Sequence, residues 1–327
     1  MKAVSFAEPG ATSELTSVSE IDTPVPAAGQ TLVDVEFAGI NYIDVMARRG
    51  DPGYASAWPY VPGLEVVGTV AATGSADSPH RVGQRVAALT PGGGLAQRAL
   101  AEDALVVPLP EGVDGAVGAA APLMLCTALL LLQDASRFAP GDTVLMHSVG
   151  GGVGSAVAQV AGALGGGRLV GTVSSPAKAA AARAAGWEHV LVRDALLSER
   201  LDQVVPDGAD VVLDPLGTMI LEVDLEHAAA GARIVLFGNP GADTLADLPP
   251  VRRLIGGNLS VGGFSITRLA QAAPHRVARA LREALTLLAE DRLEVPVTIV
   301  DGLDRVGEVH DLLARGGSTG KHVIRVT

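Results

Sequence analysis

The sequence predicts an α/β protein in which a doubly wound parallel sheet accompanies a barrel-like antiparallel β domain. Three observations carry this expectation. Up to about Pro122 the chain consists of short strands and turns. Beyond it, apolar strands alternate with helical segments, the pattern of a parallel sheet covered on both faces. Between one of those strands and its helix lies a glycine-rich turn, Ser148 to Gly154.

The elements follow in order. Residues 1–6 read as an opening strand, and 31–37 alternate with period two, as a half-buried strand does. Residues 63–71 and 82–89 read similarly, separated by Gly, Ser, Asp and Pro. The apolar run at 123–132 holds Cys126 and Thr127, and reads as a buried helix too short to span a bilayer. Parallel strands are expected at 143–147, 168–173, 189–192, 210–214, 233–237 and 259–264, with helices at 155–164 and 176–185. From Ser265 the pattern is mixed, with helices at 273–290 and 303–315 and a closing strand at 322–326 that rejoins the first domain.

Composition narrows the function. At 327 residues the chain is long enough for two domains, and 48% hydrophobic content supports a filled core. A net charge of -12 without a basic block argues against nucleic acid. One cysteine, Cys126, rules out internal disulfides and a cysteine-based structural zinc site. It fits a reducing cytoplasm. The first residues lack the apolar core of a signal peptide, so a cytoplasmic location away from membranes is expected.

A glycine-rich turn between a buried strand and a helix lets backbone approach a pyrophosphate, whose charge then rests at the helix N-terminus. That is the nucleotide-binding corner of a Rossmann fold. The spacing here departs from G-x-G-x-x-G. Gly151 and Gly154 fit the turn best, with Ser148 at the first position and Gly152 and Val153 between. A tight βα turn without a ligand is the alternative reading of the same residues.

In this order along the chain, the motifs resemble the medium-chain dehydrogenase/reductase superfamily, in its zinc-free quinone oxidoreductase (zeta-crystallin-like) branch. They are Gly39 to Val45 with Arg49-Gly50, Val61 to Gly68, Val82 to Val86, Thr127, Ser148 to Gly154, Phe237 to Asn239, and Gly320-Lys321. The resemblance implies a catalytic domain from residues 1–122 and 265–327 and a dinucleotide-binding domain from 123–264. Zinc-dependent relatives carry a cysteine where this chain has Asn41, and a histidine where it has Leu64. Neither residue ligates zinc, so chemistry without a metal is expected.

The cofactor expected is NADPH. An NAD-preferring domain carries Asp or Glu about 20 residues past the glycines. Here the second strand ends in Ser174, Ser175 and Lys178, with no carboxylate until Glu188. Hydroxyls and a cation welcome a 2′-phosphate, and the lysine matches the family's NADPH position. A tyrosine that the family often carries after the third strand is here Val192. Asp214, Phe237, Gly238 and Asn239 fall at the open ends of parallel strands, where ligands bind. For Asp214 a capping role competes. By resemblance Phe237 to Asn239 run along the nicotinamide, Thr127 meets its ribose or phosphate, and Lys321 belongs to the cofactor set.

All three tyrosines (Tyr42, Tyr54 and Tyr60) and Trp58 fall within residues 42–60. They form either an aromatic mouth for a planar conjugated substrate or a local core. By resemblance Asn41 lies beside the nicotinamide, where its amide bonds a carbonyl oxygen. Tyr42 and Tyr54 join it as catalytic candidates. Two tyrosines of the family are replaced by Met46 and Pro52. Asp44 is expected to pair with Arg48 or Arg49 across one helical turn.

The expected reaction is hydride transfer from NADPH to a quinone or similar conjugated carbonyl, with proton delivery open to water. The alternatives are an enoyl or 2-alkenal reductase in a biosynthetic pathway, which uses the same scaffold, and a non-catalytic NADPH-binding protein. A homodimer is expected through the edge strand at 259–264, because an exposed edge needs cover.

Overall fold

The computed structural model describes residues 1–55, 57–238 and 245–326. The chain divides into two compact units, Met1–Cys126 with Ile266–Thr327, and Thr127–Ser265.

The first unit opens with an antiparallel pair, β1 (Lys2–Phe6) and β2 (Thr16–Glu20). Then come β3 (Gln30–Ile40), β4 (Glu65–Thr73), β5 (Arg85–Leu89), β6 (Arg98–Glu102) and β7 (Val106–Pro108). The long strand β3 is central and pairs antiparallel with both β4 and β6. Val4, Phe6, Val33, Val35, Ile40, Val66 and Val86 belong to its core; Val33 and Val35 alternate inward, and Ile40 joins them beyond the register shift between Val35 and Phe37. Helix α1 (Tyr42–Arg49) follows β3 directly and stops at Gly50, whose φ of 78° is the left-handed ending that glycine allows.

The longest apolar helix, α2, runs over Gly115–Ala135. The sequence predicts an apolar run at 123–132, too short to cross a membrane. The structure corrects the length to 21 residues. Asp114 starts it by accepting from the backbone N–H groups of Ala116 and Val117, and turns of π type at Ala121–Leu125 and Leu130–Ala135 carry it past Pro122. Length and composition would let it span a bilayer, yet 94% of its most apolar window is buried in the protein, as in a core helix. Cys126 lies on it, fully buried.

The second unit is a six-stranded, wholly parallel sheet of β8 (Thr143–Met146), β9 (Arg168–Val173), β10 (His189–Val192), β11 (Ala209–Asp214), β12 (Ala228–Leu236) and β13 (Ser260–Gly263). Their spatial order is β10-β9-β8-β11-β12-β13. The chain winds outward from β8, then returns to wind the other way from β11. The reversal between β8 and β11 is a topological switch point, where open α/β sheets bind ligands beyond the carboxyl ends of the strands. Helix α3 (Gly152–Ala163) follows β8, and α4 (Ala179–Ala184), α5 (Leu197–Val204), α6 (Leu221–Glu226) and α7 (Val251–Gly257) follow later strands.

The chain then returns to the first unit through α8 (Ile266–Ala272), α9 (Pro274–Ala289), β14 (Val297–Asp301), α10 (Val306–Ala314) and β15 (Lys321–Arg325). Strand β15 pairs antiparallel with β3, which brings Lys321 to the end of β3 near Asn41.

Candidate active site

Two groups of residues carry chemistry, one in each unit. In the second unit β8 runs into the glycine-rich turn. Ser148 adopts φ 61°, a left-handed conformation that glycine tolerates better. Gly151 is the N-cap of α3, and Gly152 and Val153 open its first turn, all half-buried. A side chain on Gly154 would meet Val149 Cα at 2.4 Å, so only glycine lets strand and helix backbones pack this closely. A Cβ on Gly151 would meet nothing nearer than Ser148 O at 3.7 Å, which leaves that backbone open to a ligand. The turn suits a pyrophosphate: free N–H groups at a helix N-terminus and bare backbone.

At the end of β9, Ser174 is exposed and Ser175 half-buried. The stem of Lys178 lies over the glycine turn, 3.0 to 3.5 Å from where a Cβ on Gly150 would sit. Burial, then the neighbouring Arg193, lower the proton affinity of Lys178. Phe237 donates its N–H to Asp214 O at 2.9 Å, and Gly238 packs against Pro215 so tightly that a Cβ would sit 2.3 Å from its carbonyl. Asn239 lies outside the described residues. Thr127 is only 7% exposed, which leaves little of it for a ligand.

Asp214 faces inward. It is fully buried and accepts from Leu216 N at 2.6 Å, the capping role rather than a ligand contact. It belongs to a buried chain that sequence did not reveal. Arg193 Nη1 donates to Thr172 Oγ1 at 3.1 Å. Thr172 Oγ1 meets His147 Nδ1 at 2.8 Å, and His147 Nε2 meets Asp224 Oδ1 at 2.7 Å. Burial holds the His147 imidazole down to about 4, so it is neutral. Its Nε2–H therefore donates to Asp224, and its Nδ1 accepts from Thr172. The Oδ2 atoms of Asp214 and Asp224 are buried and meet no donor unless one carboxyl keeps its proton. Burial, then the charge of Asp224, raise Asp214; burial also raises Asp224, which a hydrogen bond donated by the protonated Asp214 carboxyl partly offsets.

In the first unit, Asn41 sits at the junction of β3 and α1. Its Nδ2 donates to Glu65 Oε1 at 2.8 Å, and its Oδ1 accepts from Lys321 Nζ at 2.6 Å. Lys321 also donates to Ile40 O at 3.0 Å and to Glu65. Glu65 Oε2 accepts from Leu123 N at 2.8 Å. Glu65 is fully buried and Lys321 4% exposed. The resemblance places Lys321 with the cofactor. The structure instead spends its three ammonium donors on the carbonyl of Ile40, Asn41 and Glu65, so it acts by orienting the Asn41 amide. The second Nδ2 hydrogen of Asn41 has only a long contact, 3.4 Å to Gly39 O.

Asp44 does not pair with an arginine. Its oxygens accept from Asn41 N at 2.9 Å and Gly63 N at 3.0 Å, and burial pushes it up to about 6. Arg48 turns fully inward to Asp311 at 2.9 Å. Arg49 pairs with Asp51, lies 5.9 Å over the Tyr42 ring and donates to its hydroxyl at 3.3 Å. Tyr54 is half-buried beside them, and burial raises its phenol. The aromatic group thus splits. Trp58 and Tyr60 pack on Phe6 at 6.4 Å as a local core, where burial pushes Tyr60 up to about 12. Tyr42 and Tyr54 stay with Arg49.

Residues 27–111 match the alcohol dehydrogenase GroES-like domain, and residues 152–286 match the zinc-binding dehydrogenase domain. At the positions where zinc-dependent relatives carry ligands, Asn41 and Leu64 supply none, and among the described residues no group of three His, Cys, Asp or Glu could hold a metal. A probable quinone oxidoreductase of Schizosaccharomyces pombe is 31% identical over 97% of this chain and 95% of its own. A mycocerosic acid synthase-like polyketide synthase of Mycolicibacterium smegmatis is 31% identical over 92% of this chain, which matches 14% of that much longer protein. Among solved structures, Escherichia coli quinone oxidoreductase complexed with NADPH superposes with a TM-score of 0.89 at 25% identity, over 99% of this chain and all of its own. The motifs, the strand order and these likenesses agree: the chain belongs to the medium-chain dehydrogenase/reductase family, in its quinone oxidoreductase branch, and is an oxidoreductase.

Proposed function

We propose that this protein reduces quinones and similar conjugated carbonyl compounds with NADPH, without zinc. The observation that carries the reading is the end of β9. Two serines and a lysine stand there, the lysine stem crosses the glycine turn, and no carboxylate is present to repel a 2′-phosphate. Bound NADPH supplies the hydride. Ser148, Gly151, Gly152, Val153 and Gly154 hold the pyrophosphate, and Ser174, Ser175 and Lys178 hold the adenosine end. Phe237 and Gly238 run along the nicotinamide side, with Thr127 near its ribose.

The chain's own residues then orient the acceptor. The Lys321–Glu65 pair fixes Asn41 so that its loosely held Nδ2 hydrogen meets charge developing on the acceptor's carbonyl oxygen. Tyr42 and Tyr54 line the same side, and water returns the proton. A homodimer through β13 covers that edge strand. Val251 and Ile255 of α7, 68% and 71% exposed, supply apolar area beside it. The single buried thiol suits a cytoplasmic setting.

A second reading, an enoyl or 2-alkenal reductase, draws on the polyketide synthase segment and on Met46 and Pro52 at the family's tyrosine positions. NADPH oxidation with a para-quinone and an α,β-unsaturated ketone side by side, NADH as control, separates the readings. Rapid quinone turnover with NADPH supports the proposal, and turnover of the ketone alone replaces it with the second. NADPH binding without turnover of either points to a non-catalytic role.

A further inference from the structure

We infer that Arg193 is a second specificity-determining residue for the cofactor, gripping the 2′-phosphate of the adenosine ribose together with Lys178. The inference rests on the NADPH reading and adds to it a residue that the motifs did not contain.

The geometry begins with register. Strand β10 pairs with β9 so that Val192 lies opposite Val173, and Arg193 N donates to Val173 O at 2.9 Å. Arg193 thus emerges beside Ser174, at the start of the segment that carries Ser174, Ser175 and Lys178. Both side-chain hydrogen bonds of Arg193 leave from Nη1, to Thr172 Oγ1 at 3.1 Å and Thr172 O at 3.5 Å. Its Nε and Nη2 face of the guanidinium fork is the part suited to a bidentate oxyanion.

Charge supplies the second argument. Lys178 and Arg193 are both partly buried, and each holds its proton less readily than usual, from burial first. Arg193 adds to the effect on Lys178. Among the described residues neither forms an ion pair with a carboxylate. The acid nearest in electrostatic effect, Asp214, supports the charge of Arg193, but burial raises its own proton affinity to about 7, so it offsets the arginine only in part. Two adjacent cations are unfavourable alone and favourable around a dianion. The chain through Thr172, His147 and Asp224 anchors the guanidinium from below, so little ordering remains to be done on binding. In this way Arg193 offsets the tyrosine that Val192 replaces.

The test uses the full chain without added cofactor and isothermal titration with 2′,5′-ADP, 5′-AMP and inorganic phosphate. Wild type should prefer 2′,5′-ADP. Arg193→Gln should weaken 2′,5′-ADP by about 10- to 100-fold, while 5′-AMP changes by less than about twofold. Arg193→Lys, which keeps the charge, should recover part of the loss, and thermal melts of each variant verify folding. Equal weakening of both nucleotides in a folded Arg193→Gln, or no weakening, overturns the inference and leaves the NADPH reading standing. A wild type that does not distinguish the two nucleotides overturns the NADPH reading itself. Inorganic phosphate binding as tightly as 2′,5′-ADP would make the cation pair a free-phosphate site and also overturn the inference.

Discussion

Each unit of this protein buries a polar centre, and the two are closed by opposite means. In the first, the carboxylate of Glu65 is met by the ammonium of Lys321, with Asn41 bridging them. In the second, the carboxylate of Asp224 is met by a proton retained on Asp214 and by a neutral imidazole. A buried charge answered by a countercharge depends on both partners being present. A buried charge answered by a shared proton depends on pH. The first centre is brittle to mutation, and the second is sensitive to solution conditions.

The largest expected effect comes from breaking the first centre. Lys321→Met leaves Glu65 buried and unpaired, and should cost about 3–5 kcal/mol of stability in chemical denaturation. Adding Glu65→Gln to that variant should return a substantial part. A loss under about 1 kcal/mol for Lys321→Met would mean that water already reaches the pair.

The second centre should reveal itself through pH. Asp214 and Asp224 have raised proton affinities in the folded protein, so their contribution is present at low pH and lost as pH rises from about 4 through about 7. Asp224→Asn removes one acid while keeping an acceptor for His147. Relative to wild type, this variant should gain stability between pH 5 and pH 8, on the order of 2 kcal/mol. His147 works the other way: its folded-state affinity is lowered to about 4, so its contribution is lost as pH falls below about 6.5. Because His147 is present in both proteins, it largely cancels in the comparison. A pH-independent difference between variant and wild type would remove the shared proton from the account.

The smallest effect tests whether the second centre is one continuous chain. Thr172→Val deletes the hydroxyl between Arg193 and His147 and keeps the shape, at a cost of about 1–3 kcal/mol. In a double-mutant cycle with Asp224→Asn the effects of the two substitutions should not add. Simple additivity would break the chain into independent pairs.

The same contrast explains what could be read from the sequence. Local signals were legible. Period-two alternation gave β3, β4 and β5, and apolar runs placed β8, β9 and β10 within a residue of where they lie. The strand–glycine–helix order located the turn at Ser148 to Gly154. The apolar run at 123–132 marks only the middle of helix α2, which a π-type turn carries past Pro122. Strand β12 starts at Ala228 and not 233, because its first residues are small and carry no alternation. The polar centres depend on distance in sequence. Asn41 and Lys321 are 280 positions apart, and His147 and Asp224 are 77 apart. The expected pairing of Asp44 with Arg48 or Arg49 assumed an exposed helix face. Arg48 is instead fully buried against Asp311. The residues that hold the candidate sites in place were therefore the part hidden from a linear reading.

The single thiol has a consequence of its own. Cys126 is fully buried on α2, and burial pushes its proton affinity well above the ordinary thiol range. A thiolate-seeking reagent meets neither surface nor anion while that helix is packed. Alkylation of this protein therefore counts excursions in which α2 opens, and the rate of labelling becomes an internal clock for the opening of its core.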